Sequence, residues 1–173
     1  GNTATGFRAL QGAANNATGT YNTAIGQGSL QSNGSGYDNT ATGSRALFAN
    51  LDGYANTANG GGALSTNISG YKNIATGYAA LAANITGNFN TAVGTDALYQ
   101  NQGNHGSTAV GFRAMYNADN QVSPSLSRTA NTAVGYEALF GGAAPVNNTG
   151  SSNTAIGDRT LWGNESGSNN TAV

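Results

Sequence analysis

Asn90-Thr91-Ala92-Val93-Gly94-Thr95-Asp96-Ala97-Leu98 decides the fold, because the same nine-residue phrase returns along almost the whole chain. It reappears as Asn131 to Leu139 and as Asn153 to Leu161. Its opening Asn-Thr-Ala recurs at Asn2, Asn22, Asn39, Asn56, Asn73 (Asn-Ile-Ala), Asn90, Ser107 (Ser-Thr-Ala), Asn131, Asn153 and Asn170. The intervals are 20, 17, 17, 17, 17, 17, 24, 22 and 17 residues. A short fixed period with turn residues at fixed phase is the signature of a solenoid, in which each repeat supplies one rung.

Numbering each coil from its Asn, position 3 is always alanine (Ala4, Ala24, Ala41, Ala58, Ala75, Ala92, Ala109, Ala133, Ala155, Ala172). Position 5 is glycine from Gly6 to Gly157. Position 9 carries Leu10, Leu30, Leu47, Leu64, Leu81, Leu98, Met115, Leu139 and Leu161. Thr-Ala-Val/Ile reads as a short strand, and Gly at position 5 lets the backbone bend. The next four residues read as a second short strand ending in Ala-Leu. Asn at position 12 and Gly at position 15 supply the returning turn. An alanine that is never enlarged implies two walls too close for a bigger side chain. The expected fold is all-β: a parallel β-solenoid of about ten coils, forming one repeat domain over residues 1–173. Coils stacked at ~4.8 Å would give a rod on the order of 45 Å long.

Position 7 offers a check on the stacking. In four consecutive coils it reads Asp96, Arg113, Glu137, Arg159, so opposite charges would face one another across neighbouring rungs. Position 9 shares strand parity with position 7. Either the chain bends between them, or the leucine column faces outward and another chain covers it. Aromatics gather at positions 6 and 10, among them Phe7, Tyr78, Phe112 and Tyr136, then Phe48, Tyr99, Tyr116, Phe140 and Trp162. A lone thin coil would leave these wet, so self-association, as a homotrimer, is expected.

Composition narrows the function classes. The 173 residues include 27 glycines, no cysteine and only 8% charged residues, with a net charge of −1. There is no basic footprint for nucleic acid, no apolar run of the ~18 residues that span a bilayer, and no thiolate site. Catalysis and cofactors find no support either. His105 is the only histidine and reads as a turn residue, and the seven carboxylates are scattered over different coils. No enzyme, metal or cofactor is expected.

Three coils are lengthened after the Ala-Leu segment, near residues 11–18, 119–128 and 141–146. The latter two fall on adjacent coils and should share one corner. Insertions on one face of a solenoid often form its binding surface, making Asn120, Gln121, Ser123, Ser125, Gly142, Asn147 and Asn148 candidate receptor contacts. Loop drift explains the same lengths. Seven Asn-x-Ser/Thr sequons, at Asn16, Asn33, Asn67, Asn84, Asn147, Asn164 and Asn169, are candidate glycosylation sites; turn asparagines followed by turn serines explain them equally. Thr at position 2 in nine coils suggests ice binding, against which the mixed residues at position 4 count.

The Asn-Thr-Ala-Ile/Val-Gly-x-x-Ala-Leu unit resembles the head repeats of trimeric autotransporter adhesins and the repeats of phage tail fibres. That resemblance spans essentially the whole chain and implies a left-handed parallel β-roll, usually trimeric. It also implies an extracellular role as the shaft or head of a cell-surface or virion fibre. Three functions follow as expectations: a rigid fibre segment for attachment, a module contacting a cell-surface glycan or protein receptor through the inserts, and a filament subunit stacking end to end through repeats left uncapped at Gly1 and Val173. No nucleic-acid partner and no membrane insertion are expected.

Overall fold

In the computed structural model, residues 1–12, 18–117, 128–142 and 149–173 are described. Ten short strands follow one another: β1 (Thr3–Thr5), β2 (Thr23–Ile25), β3 (Thr40–Thr42), β4 (Thr57–Asn59), β5 (Ile74–Thr76), β6 (Thr91–Val93), β7 (Thr108–Val110), β8 (Thr132–Val134), β9 (Thr154–Ile156) and β10 (Thr171–Ala172). They form one parallel sheet in sequence order, making a β-solenoid. Pairing is in register throughout, so that Ala24 lies over Ala41 and Ala75 over Ala92. The 24-residue interval leaves the register untouched, since Thr108 still faces Thr132.

Each strand is a three-residue alternation. The central alanine points into the coil and is fully buried in β2 to β9, while the Thr at position 2 and the residue at position 4 point out. Ala4, in the first rung, is exposed, and Leu161, in the ninth, is partly buried. Ala46, Ala63, Ala80, Ala97, Ala114 and Ala138 at position 8 complete a core of two alanine columns and one leucine column.

The second strand expected after Gly at position 5 does not form; a chain of turns replaces it. Gly43 (φ 131°), Arg45 (φ 58°) and Leu47 (φ 50°) all take positive φ. The same alternation repeats at Gly94, Asp96 and Leu98. Positive φ at the third residue of a turn is the sign type II turns require, and Ala46 N–H donates to Gly43 O at 3.3 Å in such a turn. Alternating φ also swings successive amides to opposite sides. Arg45 N–H donates to Gln27 O of the preceding coil at 2.8 Å, whereas Leu47 N–H donates to Ala63 O of the following one at 2.9 Å.

These turns settle the parity question. The chain bends between positions 7 and 9, leaving the charge outside and sending the leucine inward. Leu30, Leu47, Leu64, Leu81, Leu98, Met115 and Leu139 are buried within the single chain, so an outward leucine column covered by another chain is incorrect. A non-glycine residue in the left-handed region costs ~1–2 kcal/mol. Burying its leucine side chain returns about 1.5–3 kcal/mol, which is why a residue disfavoured for that backbone occupies it in every coil.

Glycine at position 5 is required twice over. At φ 131° a side chain on Gly43 would be strained, and its Cβ would lie 2.7 Å from the carbonyl carbon and oxygen of Gly60 above it. The column from Gly6 to Gly135 shows the same conflict with the next glycine.

Candidate functional site

Two asparagine ladders run up the solenoid. In the first, at position 1, Asn39 N–H donates to Asn22 Oδ1 at 3.0 Å, and Asn56 N–H to Asn39 Oδ1 at 3.0 Å. Each Nδ2 donates to the position-15 carbonyl of its own coil, as Asn39 does to Gly53 at 2.9 Å. In the second, at position 12, Asn50 Nδ2 donates to Asn33 Oδ1, Asn67 Nδ2 to Asn50 Oδ1 and Asn84 Nδ2 to Asn67 Oδ1, all at 2.7 Å. Both ladders converge on the same glycine carbonyl, since Asn50 Nδ2 also reaches Gly53 O at 2.9 Å. Buried amides satisfied on both ends cost nothing in desolvation and fix the register.

That convergence explains the glycine at position 15. A Cβ on Gly36 would sit 2.4 Å from Asn50 Nδ2 and 2.5 Å from Asn33 Oδ1. In the sixth coil this glycine becomes Asn104, and the second ladder stops there. Asn101 Nδ2 donates to Asn104 O at a longer 3.3 Å, its Oδ1 accepts from Asn104 N–H at 3.1 Å, and Asn84 Oδ1 is left buried without a partner.

The ladder break lies beside a cavity. Tyr71, Asn88, Phe89, His105 and Arg128 line a space of about 230 Å³. Position 16 holds a parallel stack of Tyr37, Tyr54 and Tyr71, with centroids 4.9 and 4.7 Å apart, and then changes to Asn88 and His105. Asn88 Oδ1 accepts from Tyr71 N–H, and Asn88 N–H donates to His105 Nδ1, both at 2.8 Å. His105, read from the sequence as a turn residue, is a buried rung bridged to Arg128. Burial, and next the positive charge of Arg128, push its pKa below the usual histidine value, favouring the neutral ring. Across the gap, Phe89 meets Tyr71 edge-on at 5.3 Å. The sequence signal for this site is the replacement of Gly-Tyr by Asn104-His105 at positions 15 and 16; Arg128 carried none.

The charges at position 7 do pair. Arg113 Nε lies 3.5 Å from Asp96 Oδ2, and Arg159 Nε lies 3.0 Å from Glu137 Oε2. The hydrogen bond to Glu137 and its charge hold the Arg159 guanidinium above its ordinary pKa. Tyr116 is pushed upward by burial and then by the nearby Asp96.

Of the candidate receptor contacts, Asn120, Gln121, Ser123, Ser125, Asn147 and Asn148 lie outside the described residues. Gly142 is described and is buried, with the Glu165 side chain over its Cα, so it is not displayed to a receptor. The flanks of the two later inserts do leave the stack at the same corner. Asn117 N–H donates to Phe140 O at 2.8 Å, and Gly141 N–H to Trp162 O at 3.0 Å, one rung apart. Among the sequons, Asn16 and Asn147 lie outside the described residues. Asn33, Asn67 and Asn84 are buried, their Nδ2 atoms committed to the ladder. A glycan on those nitrogens and the folded coil exclude each other. Asn164 Nδ2 donates to Gly167 O at 2.9 Å, and Asn169 is exposed.

Tyr99, Tyr116, Phe140 and Trp162 stack face to face at 5.1, 5.4 and 5.4 Å. The faces of the inner rings, Tyr116 and Phe140, are covered by their neighbours in the stack. No group of three or more His, Cys, Asp or Glu side chains that could hold a metal ion occurs among the described residues. No family model, curated protein or solved structure matches this chain.

Proposed function

We propose that this chain is a structural segment of an extracellular fibre, a rigid β-solenoid rod serving attachment at a cell surface or on a virion. The observation that carries the reading is the continuity of order along the axis. Ten in-register rungs, the Asn22-to-Asn90 ladder and the alanine–leucine core repeat with one geometry. Such an object resists bending because every rung is tied to both neighbours, and a mechanical spacer needs that property more than it needs a pocket. The resemblance of the repeat to adhesin-head and tail-fibre sequences supports the same reading. Antibody labelling of intact source cells or particles tests it. Label along projecting fibres would support the proposal, and label confined to the cell interior would overturn it.

We further propose lateral self-association as a homotrimer, now on different grounds from the leucine column. Val93 (37% exposed), Val110, Val134 (37%) and Ile156 (42%) line up on four consecutive rungs at position 4 on the outer face of the sheet. Together they make an aliphatic stripe that the same stripes of two further copies could cover around a threefold axis. Light scattering should give about three times 17.2 kDa, and replacing Val93, Val134 and Ile156 by Lys should return the monomer. A wild-type mass of one chain would exclude the trimer while leaving the rod intact.

A further inference from the structure

Among the described residues, the cavity beside His105 presents donors and an apolar wall, and His105 Nε2 has no acceptor bonded to it. His105 is 5% exposed, and its Nδ1 accepts from Asn88 N–H at 2.8 Å. In the neutral ring the proton therefore sits on Nε2, and that atom is buried without a hydrogen-bond partner. Leaving a buried donor unmatched costs ~1–3 kcal/mol, and such atoms commonly mark a missing ligand or water. Asn88 Oδ1 takes Tyr71 N–H and forms no hydrogen bond with His105 Nε2.

Among the described lining residues the only formal charge is that of Arg128, which acts electrostatically on His105. The Lys72 ammonium lies 5.5 Å from the centroid of Phe89. Neither cation belongs to an ion pair among the described residues, where the pairs are Arg113–Asp96 and Arg159–Glu137. The Tyr71 and Phe89 rings supply the apolar part of the lining. A space of about 230 Å³ is smaller than the ~300–1,000 Å³ of pockets for drug-sized molecules, so it suits a single ring.

We propose that this cavity binds a carboxylate carried on a six-membered sugar ring, as in one uronic acid unit of an acidic polysaccharide. One carboxylate oxygen accepts from His105 Nε2–H, and the guanidinium of Arg128 donates to the same carboxylate. The C–H groups of the sugar pack against the apolar wall that Phe89 and Tyr71 form. A neutral sugar would leave the cations and the Nε2–H unanswered, and a bare inorganic anion would leave the aromatic wall uncovered. The site stands independently of the fibre reading, since its chemistry is the same whatever the rod supports.

His105 is the only histidine in the chain, so its imidazole ¹H and ¹⁵N resonances report on this cavity alone. The test is a titration of the whole protein with galacturonic acid, with glucose and acetate as controls. Galacturonate is expected to move the Nε2 and Hε1 resonances and saturate, with glucose and acetate at least about tenfold weaker. Arg128→Gln, at an exposed position, should weaken galacturonate binding about tenfold or more without changing the melting curve, and Arg45→Gln on a distant coil should change nothing. Acetate binding as tightly as galacturonate would overturn the sugar assignment. No saturable shift with galacturonate or its trimer, or undiminished binding by Arg128→Gln, would overturn the site.

Discussion

Residues 22–103 and residues 104–169 are built on the same rung but treat its far corner differently. In the first region both asparagine ladders run together, from Asn22 to Asn90 at position 1 and from Asn33 to Asn84 at position 12. In the second, only the position-1 ladder continues, through Ser107, Asn131, Asn153 and Asn170. It survives even where Ser107 Oγ stands in for an amide oxygen, at a longer 3.3 Å. The strand, the two alanines and the leucine stay in register in both regions. The coil therefore has two parts: a rung from positions 1 to 9 that defines the stack, and a corner from 12 to 16 that can lengthen or change partners. The two later insertions and the proposed carboxylate site fall in the region where the corner is released from its ladder.

The sharpest way to break this division is to damage the rung. Gly43→Ala places a Cβ 2.7 Å from Gly60 backbone atoms at φ 131°, and should cost ~4 kcal/mol or more. Circular dichroism should show melting lowered by about 10 °C or more, or no folded chain. Damage to the corner should cost less. Gly53→Asn, at a backbone conformation open to any residue, puts a side chain against Asn50 Oδ1 and Asn67 Nδ2. The expected loss is ~2–3 kcal/mol from broken buried amides, with the strand pairing retained. The opposite change in the second region has the opposite sign. Asn104→Gly makes room for Asn101 Nδ2 to reach the unpartnered Asn84 Oδ1, raising stability by ~1 kcal/mol or somewhat less.

The smallest expected effect is a pH dependence confined to the released corner. Burial and Arg128 lower the pKa of His105 from 6.5, so the unfolded chain binds the proton more readily than the folded one. Stability is then full above pH 6.5 and falls as pH drops through it toward the lowered value. Between pH 7.5 and 5.5 the melting temperature of the wild type should fall slightly more than that of His105→Gln. Equal falls would show that the histidine does not titrate differently in the folded state.

Much of the rung was legible before the structure. The period alone placed every strand, because a three-residue alternation with an invariant central alanine leaves no other phase. The pairs Asp96–Arg113 and Glu137–Arg159 followed from the same register. Local backbone chemistry was harder to read. Leu47 at φ 50° and Arg45 at φ 58° are residues that normally avoid that region, so in the sequence Arg-Ala-Leu reads as extended chain and leaves the leucine direction open. The tertiary stack overrides the local preference by supplying an inter-coil partner for each swung amide. The sequons misled for a related reason: Asn at position 12 suits a turn, and the sequence gives no sign that its amide is turned inward to bond the coil below. The His105 site was hidden because Arg128 joins it only after a long coil closes.

The central claim is that one repeat contributes one rung, whatever its length. Double electron–electron resonance between spin labels on introduced cysteines tests it directly, since the chain has no cysteine of its own. Pairs on the outward threonines Thr23/Thr108 and Thr40/Thr132 both span five rungs of the sheet, although the second pair includes the 24-residue interval. At ~4.8 Å per rung both distances should centre near 24 Å, and Thr40/Thr154, one rung further, near 29 Å. A Thr40/Thr132 distance longer than its partner by more than one rung would contradict the account.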